Sequence, residues 1–146
     1  MKLILSLFLA CATLFGSVPF TLDKLQNLRF LVLNKTDFIT PADETIIKTK
    51  IKEKLTKRGI TFDSRDASTL MITIDTFMVD KIYIVHTQFI IGEEVQTFRT
   101  NEVNTLAYTY HGSDLIDTKE PYADTIESIE YLTNEFLELF DEDNHH

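Results

Sequence analysis

The chain has 146 residues, and its 23 Asp and Glu against 14 Lys and Arg give a formal net charge of -9 at neutral pH. That balance argues against nucleic acid as a partner. One cysteine in the whole chain, Cys11, excludes a disulfide framework and a multi-cysteine metal site, so a folded domain here must draw its stability from core packing.

Residues 1–20 read as an address. Lys2 and the amino terminus form a basic start, Leu3 to Leu14 an apolar run of the usual length, and Gly16-Ser17 a pair of small residues where a signal peptidase can cut. Two further readings stay open. Leu9-Ala10-Cys11 looks like the end of a lipobox, which makes Cys11 a candidate lipidation residue, although Phe8 departs from that motif. Alternatively the segment is kept: Leu3 to Leu22 carries no charge, and about 20 apolar residues can span a bilayer. All three readings place the chain from about residue 23 onward across a membrane, in a periplasmic or envelope setting, with membrane association possible through residues 1–20. Abundant Ile and Lys with no Trp fit a bacterial source. The expected division is an export signal or anchor at 1–17, one globular domain at 23–143 and a tail at 144–146.

Leu28 to Asn34 (LRFLVLN) is a short, nearly continuous apolar run, expected to be a strand covered on both faces. Thr40-Pro41 opens a helix: Thr40 can cap, Pro41 suits the first helical position, Asp43 and Glu44 suit the positive end, and Lys57-Arg58-Gly59 closes it. Ile47, Ile51 and Leu55 give this helix a buried stripe, which Ile46 is expected to widen. Leu70, Ile72 and Ile74 alternate with Met71, Thr73 and Asp75 in a second strand. Ile82 to Ile91 forms a third, with Tyr83, Val85, Phe89 and Ile91 on one face. Gly92-Glu93-Glu94 is expected to turn, and Val95–Thr100 and Val103–Tyr110 to continue in extended form as one interrupted strand or two. Tyr110-His111-Gly112-Ser113-Asp114 then reads as the turn that ends it. Pro121 starts a last helix in which Tyr122, Ile126, Ile129, Leu132, Phe136 and Phe140 keep helical spacing.

This order, β-α-β-β-β-α, predicts an α+β two-layer sandwich: a four- to five-stranded mixed sheet, its first pair parallel across the helical crossover, with two helices on one face. The opposite face would carry Met71, Thr73, Asp75 and Phe77 on one strand and Ile82, Ile84, His86, Gln88 and Ile90 on the next. That mixture is too apolar for ordinary solvent surface and marks a candidate contact site.

Charge is unevenly spread. Seven basic residues lie between Lys48 and Arg65 against two acidic ones, while eleven acidic residues lie between Asp114 and Asp143 against Lys119 alone. Two helices side by side would partly neutralise each other. A basic helix could also contact anionic lipid or an acidic protein face, and Lys50, Lys54, Lys57 and Arg58 are the candidate contact residues. The acidic end Asp141-Glu142-Asp143 sits at the wrong pole of its helix dipole, so it should fray or be held by a cation or partner.

No catalytic residue, cofactor or metal is expected. His86 and His111 fall on different strands, and His145-His146 at the end have no ligand spacing. Tyr110 to Asp114 holds the residue types of a hydrolase triad, but neighbours in sequence seldom have triad geometry, and there is no G-x-S-x-G elbow.

The export-type N-terminus, LRFLVLN, a helix ending KEKLTKRGI, the strand LMITIDTF, a longer hairpin region and a closing amphipathic helix together resemble small accessory proteins of the Gram-negative envelope. The pattern is similar to the lipoprotein partner of the lipopolysaccharide-assembly translocon and to ABC-transport auxiliary lipoproteins. That resemblance implies a non-enzymatic plug, chaperone or adaptor, and assigns no residue a role. The expected function is an exported accessory protein that binds an envelope protein or an anionic lipid. The alternative is a carrier of a small apolar ligand, with a pocket between sheet and helices lined by residues such as Phe89 and Phe136.

Overall fold

A computed structural model of the chain describes residues 21–62, 68–100 and 102–144. Cys11 and the rest of residues 1–20, Asp63, Arg65 and the terminal His145-His146 lie outside the described residues. The element order is β1 (Leu28–Asn34), α1 (Pro41–Thr56), β2 (Ser68–Val79), β3 (Ile82–Gln96), β4 (Asn104–Thr118) and α2 (Pro121–Asn144). One four-stranded sheet runs β1-β2-β3-β4, with β1 parallel to β2 and the remaining pairs antiparallel. The architecture is the expected α+β arrangement, with four strands rather than five.

Local chemistry explains both ends of α1. Thr40 Oγ1 accepts the Asp43 N–H at 3.3 Å, and the Asp43 carboxylate accepts the Thr40 N–H at 2.9 Å, which closes a capping box over two otherwise orphan donors. Tyr122 of α2 donates to the same carboxylate at 3.1 Å, so this cap also ties the two helices together. The hydrogen bond from Thr40 is the main reason that the Asp43 carboxyl is held below its ordinary value. At the other end the Ile60 N–H reaches the Leu55 carbonyl at 3.2 Å and the Gly59 N–H the Thr56 carbonyl at 3.0 Å, with Gly59 at φ 87°. This is a Schellman closure, and its hydrophobic pair is Leu55 with Ile60, both fully buried. Ile47, Ile51 and Leu55 form the buried stripe, but Ile46 is 51% exposed: α1 meets the sheet along a narrow seam, and the stripe is not widened. Asn34 fixes the β1–α1 loop, donating to the Ile39 carbonyl at 2.8 Å and accepting the Thr36 N–H at 2.9 Å.

The covered face of the sheet is read off the register. Val32 aligns with Ile72, Ile72 with Phe89 and Phe89 with Gly112, while Leu70 aligns with Ile91 and Ile91 with Tyr110. Phe89 stacks on Phe136 of α2 with ring centroids 4.8 Å apart. Tyr110 meets both rings edge-on, at 6.0 and 5.2 Å, and Phe140 extends the stack at 6.1 Å from Phe136. Leu22 and Asn144, one residue outside the expected domain limits at either end, take part in the packing. Leu22 is buried, its N–H bonds the Asp143 carboxylate at 2.7 Å, and Asn144 donates to the Leu22 carbonyl at 2.9 Å.

Two expected turns are strand instead. Gly92-Glu93-Glu94 lies within β3, and Tyr110 to Asp114 lies in the middle of β4. A Cβ on Gly92 would sit 3.1 Å from Met71 Cε and 3.3 Å from the Leu106 methyls, so glycine here lets two side chains close over the backbone. The chain passes straight through, and the irregularity is a β-bulge: Ile91 aligns with Tyr110 but Gly92 with Tyr108, leaving Thr109 as the extra residue. The sharp reversal comes earlier, at Asp80-Lys81, where both residues have positive φ between β2 and β3.

Two predictions test this packing. Replacing Gly59 with Ala places a side chain in the left-handed region with nothing within 4 Å of its Cβ, so the cost is purely conformational; urea unfolding should show a loss of about 1 kcal/mol. Burial, with the Glu135 charge adding to it, pushes the Tyr110 hydroxyl from 10.0 up to about 12. Because the folded-state value is raised, the associated stability is complete below pH 10 and is lost between about pH 10 and 12, on the order of 2 kcal/mol. Hydrogen bonds to Asp43 and Glu135 also raise Tyr122 and Tyr131, so spectrophotometric titration should show delayed ionisation of several tyrosines, and Tyr110→Phe should remove the latest component.

Candidate functional site

Three of the four basic residues expected to make contacts converge on one groove. Lys50, Lys54 and Lys57 follow the i, i+4, i+7 spacing that places residues on one side of a helix, here the side of α1 that faces α2. The apolar lining comes from Ile47 and Ile51 of α1 with Ile126 and Ile129 of α2, and Glu53, Glu130 and Thr133 complete an open volume of about 310 Å³. Arg58 is not part of this lining. It sits past the end of α1, 2.6 Å from the Asp141 carboxylate.

Charge pairing divides these cations. Lys54 Nζ donates to Glu130 Oε1 at 2.8 Å and to Asn134 Oδ1 at 3.1 Å. The hydrogen bond and the positive charge of Lys54 hold the Glu130 carboxyl below its ordinary value of 4.5, with a smaller effect from Lys50. Lys54 and Arg58 thus neutralise acidic residues of α2, as two oppositely charged neighbouring helices should. Among the described residues, Lys50 and Lys57 make no ion pair within 4 Å. The groove therefore has an apolar floor and two lysines at its edge that form no close ion pair, Lys50 acting on the Glu130 charge only from a distance.

The acidic end of α2 is held from within the chain. Asp141 pairs with Arg58, Asp143 accepts the Leu22 N–H, and the Asn144 carbonyl oxygen of its side chain accepts the Lys24 N–H at 3.0 Å. These partners offset the unfavourable dipole end that the acidic run would otherwise face.

The opposite sheet face is a second candidate surface, and its composition is the one expected from alternation. Met71 aligns with Ile90, Thr73 with Gln88, Asp75 with His86 and Phe77 with Ile84. A polar band crosses it: Thr73 donates to Gln88 Oε1 at 2.7 Å, and Gln88 Nε2 lies 2.9 Å from His111 Nε2. Apolar side chains flank the band, with Phe77 and Leu115 exposed on one side and Leu31, Leu106 and Tyr108 on the other. Lys35 pairs with Asp75 at 2.7 Å at the edge of this face.

The strand alternation of β4 separates the triad-like residues. Tyr110 and Asp114 point to the helices, His111 and Ser113 away from them. Sequence reading missed the polar chain beneath α2, in which Ser128 donates to Asp114 Oδ2 at 2.7 Å and meets the buried Thr87 hydroxyl at 2.5 Å. A polar residue on an apolar strand face was the available signal: Thr87 falls in phase with Val85 and Phe89. Among the described residues no helix is long and apolar enough to cross a membrane.

No family model matches the chain, and no curated protein matches it. A solved structure described as an uncharacterized protein is similar at 12% identity and a TM-score of 0.42, covering 86% of this chain and 95% of that one.

The Lys54–Glu130 contact is largely exposed, with the two side chains 35% and 61% accessible. A double-mutant cycle with Lys54→Ala and Glu130→Ala should give a coupling below about 1 kcal/mol that shrinks as salt rises. Since the Glu130 value is lowered, that coupling is present above pH 4.5 and disappears as the pH falls through the folded-state value.

Proposed function

We propose that this protein is a non-enzymatic accessory protein of an exported compartment, and that it holds an anionic amphiphile in the groove between α1 and α2. The observation that supports this reading is the combination of Lys50 and Lys57, neither in an ion pair within 4 Å among the described residues, with a floor of Ile47, Ile51, Ile126 and Ile129. An apolar chain on that floor would leave its charged head at the lysine edge, where the ammonium groups offer direct hydrogen bonds and the field of a basic helix. The volume, about 310 Å³, suits one short apolar chain rather than a bulky ligand.

The exported setting follows from the N-terminal residues alone, Lys2 and the uncharged run from Leu3 to Leu22. The resemblance in element order to envelope accessory proteins agrees with it. A carrier with an internal pocket finds less support, because Phe89 and Phe136 stack directly on each other with both rings fully buried.

Calorimetric titration with two single-chain lipids of equal chain length, one with a phosphoglycerol head and one with phosphocholine, tests the groove. Binding should favour the anionic head by at least about tenfold, the equivalent of 1.4 kcal/mol. Lys50→Glu with Lys57→Glu should abolish the preference and leave the unfolding midpoint within a few degrees. Equal binding of both lipids, or of neither, would overturn the assignment.

A further inference from the structure

Among the described residues, the hairpin of β3 and β4 extends past the end of β2. β2 accompanies β3 in backbone pairing as far as Thr69–Gly92, with the Ser68 hydroxyl donating to the Glu93 carboxylate, and beyond it, among the described residues, Glu93–Gln96 have backbone pairs only in Asn104–Ala107. At a rise of about 3.3 Å per residue, this two-stranded arm extends roughly 13 Å before its turn begins. The turn carries Phe98, fully exposed, and Val103, with Leu106 and Tyr108 exposed along the arm behind them. A two-stranded ribbon gains little stability in water, and an apolar side chain at its tip gains nothing there. The turn itself is ordered by short bonds: Thr97 N–H to the Val103 carbonyl at 3.0 Å and Glu102 N–H to the Arg99 carbonyl at 2.9 Å.

The position of the chain's N-terminal junction indicates what meets this arm. Thr21, Asp23 and Lys24 share a cleft with Ser68, Glu93 and Thr109, which form the base of the arm. The junction is pinned there by the Leu22 N–H to Asp143 and the Lys24 N–H to Asn144. Residues 1–20, with no charge after Lys2, therefore join the domain at the root of the projecting hairpin.

We propose that the β3–β4 arm is a membrane-contact element, which inserts Phe98, with Val103 behind it, into the interfacial layer of the same bilayer that receives the apolar N-terminal segment. Aromatic side chains favour that layer, and Arg99 beside Phe98 can keep its head among phosphates while its stem lies along apolar surface. The arm also carries Glu93, Glu94 and Glu102, so its attachment is driven by apolar burial and not by attraction to anionic lipid. A bilayer of zwitterionic phosphatidylcholine is the fitting partner. This surface is separate from the groove between the helices, and the two assignments stand or fall separately.

The absence of tryptophan from the chain makes the test direct. Full-length Phe98→Trp is reconstituted into phosphatidylcholine vesicles containing brominated acyl chains, with full-length Tyr122→Trp as the control, since Tyr122 is exposed beside the N-terminal cap of α1. The tryptophan at 98 should emit to the blue of the control and be quenched several-fold more strongly, with little change on adding salt. Trypsin cleavage after Arg99 should slow in vesicles, and Phe98→Asp should restore it while circular dichroism and the thermal midpoint stay unchanged. Equal quenching at the two positions would overturn the proposal. So would a blue shift at 98 that grows with protein concentration without lipid, since that would assign the arm to a second copy of the chain.

Discussion

The stack of Phe89 on Phe136 is the contact on which the rest of the molecule depends. It joins the middle of β3 to the middle of α2, and Tyr110 from β4 closes on both rings, so the long helix is fixed across the two longest strands. Once α2 lies there, one edge of it, Ile126 to Thr133, is left facing α1, and its acidic end is brought to the start of the domain at Leu22. Groove, helix pairing and the anchored junction all need α2 in this place, and their own contacts then hold them: Tyr122 to Asp43, Lys54 to Glu130 and Leu22 to Asp143. With no cysteine among the described residues, burial of this kind must supply the stability.

A sheet with both helices on one side leaves its other side to be managed by side chains alone. Here the solution is mixed. Thr73, Gln88 and His111 satisfy one another across three strands, while Met71 and Ile90 are shielded by neighbours such as Leu106, which Gly92 allows to approach. Phe77, Leu115 and Tyr108 remain in contact with water. The charged helices show the same economy. Lys54 and Arg58 neutralise carboxylates of α2, whereas Lys50 and Lys57 stay at the groove edge, so a basic helix is only partly consumed by the fold.

Much of the local signal was legible, although LRFLVLN, expected to be covered on both faces, leaves Leu31 and Leu33 exposed on the face away from the helices. Thr40-Pro41 with Asp43 announced a cap that needs only three residues, and strict alternation from Leu70 to Ile74 and from Tyr83 to Ile91 assigned both faces of the central strands correctly. The errors fell where a neighbour overrode composition. Gly92-Glu93-Glu94 has the residues of a turn, yet hydrogen bonding to β4 carries the strand through it. Tyr110 to Asp114 looks polar and broken because β4 is an edge strand whose outer side chains face water. Ile46 belongs to the helical pattern but lies outside the narrow seam that α1 makes with the sheet. Three of the four expected contact residues were brought together, and Arg58 was drawn instead to Asp141, 83 positions away.

The sequence by itself determined the element order, the caps of α1, the alternation of β2 and β3, the uneven placement of charge and the apolar character of residues 1–20, because each depends on residues within one or two turns of chain. Only the tertiary structure decided that Lys50 and Lys57 border an apolar groove while Lys54 and Arg58 are neutralised, that the acidic end of α2 is held by Leu22 and Lys24, and that the β3–β4 arm rises beside the N-terminal junction. Those outcomes join residues as much as about 120 positions apart. Their geometry is set by how α2 packs across the sheet, and no local pattern records it.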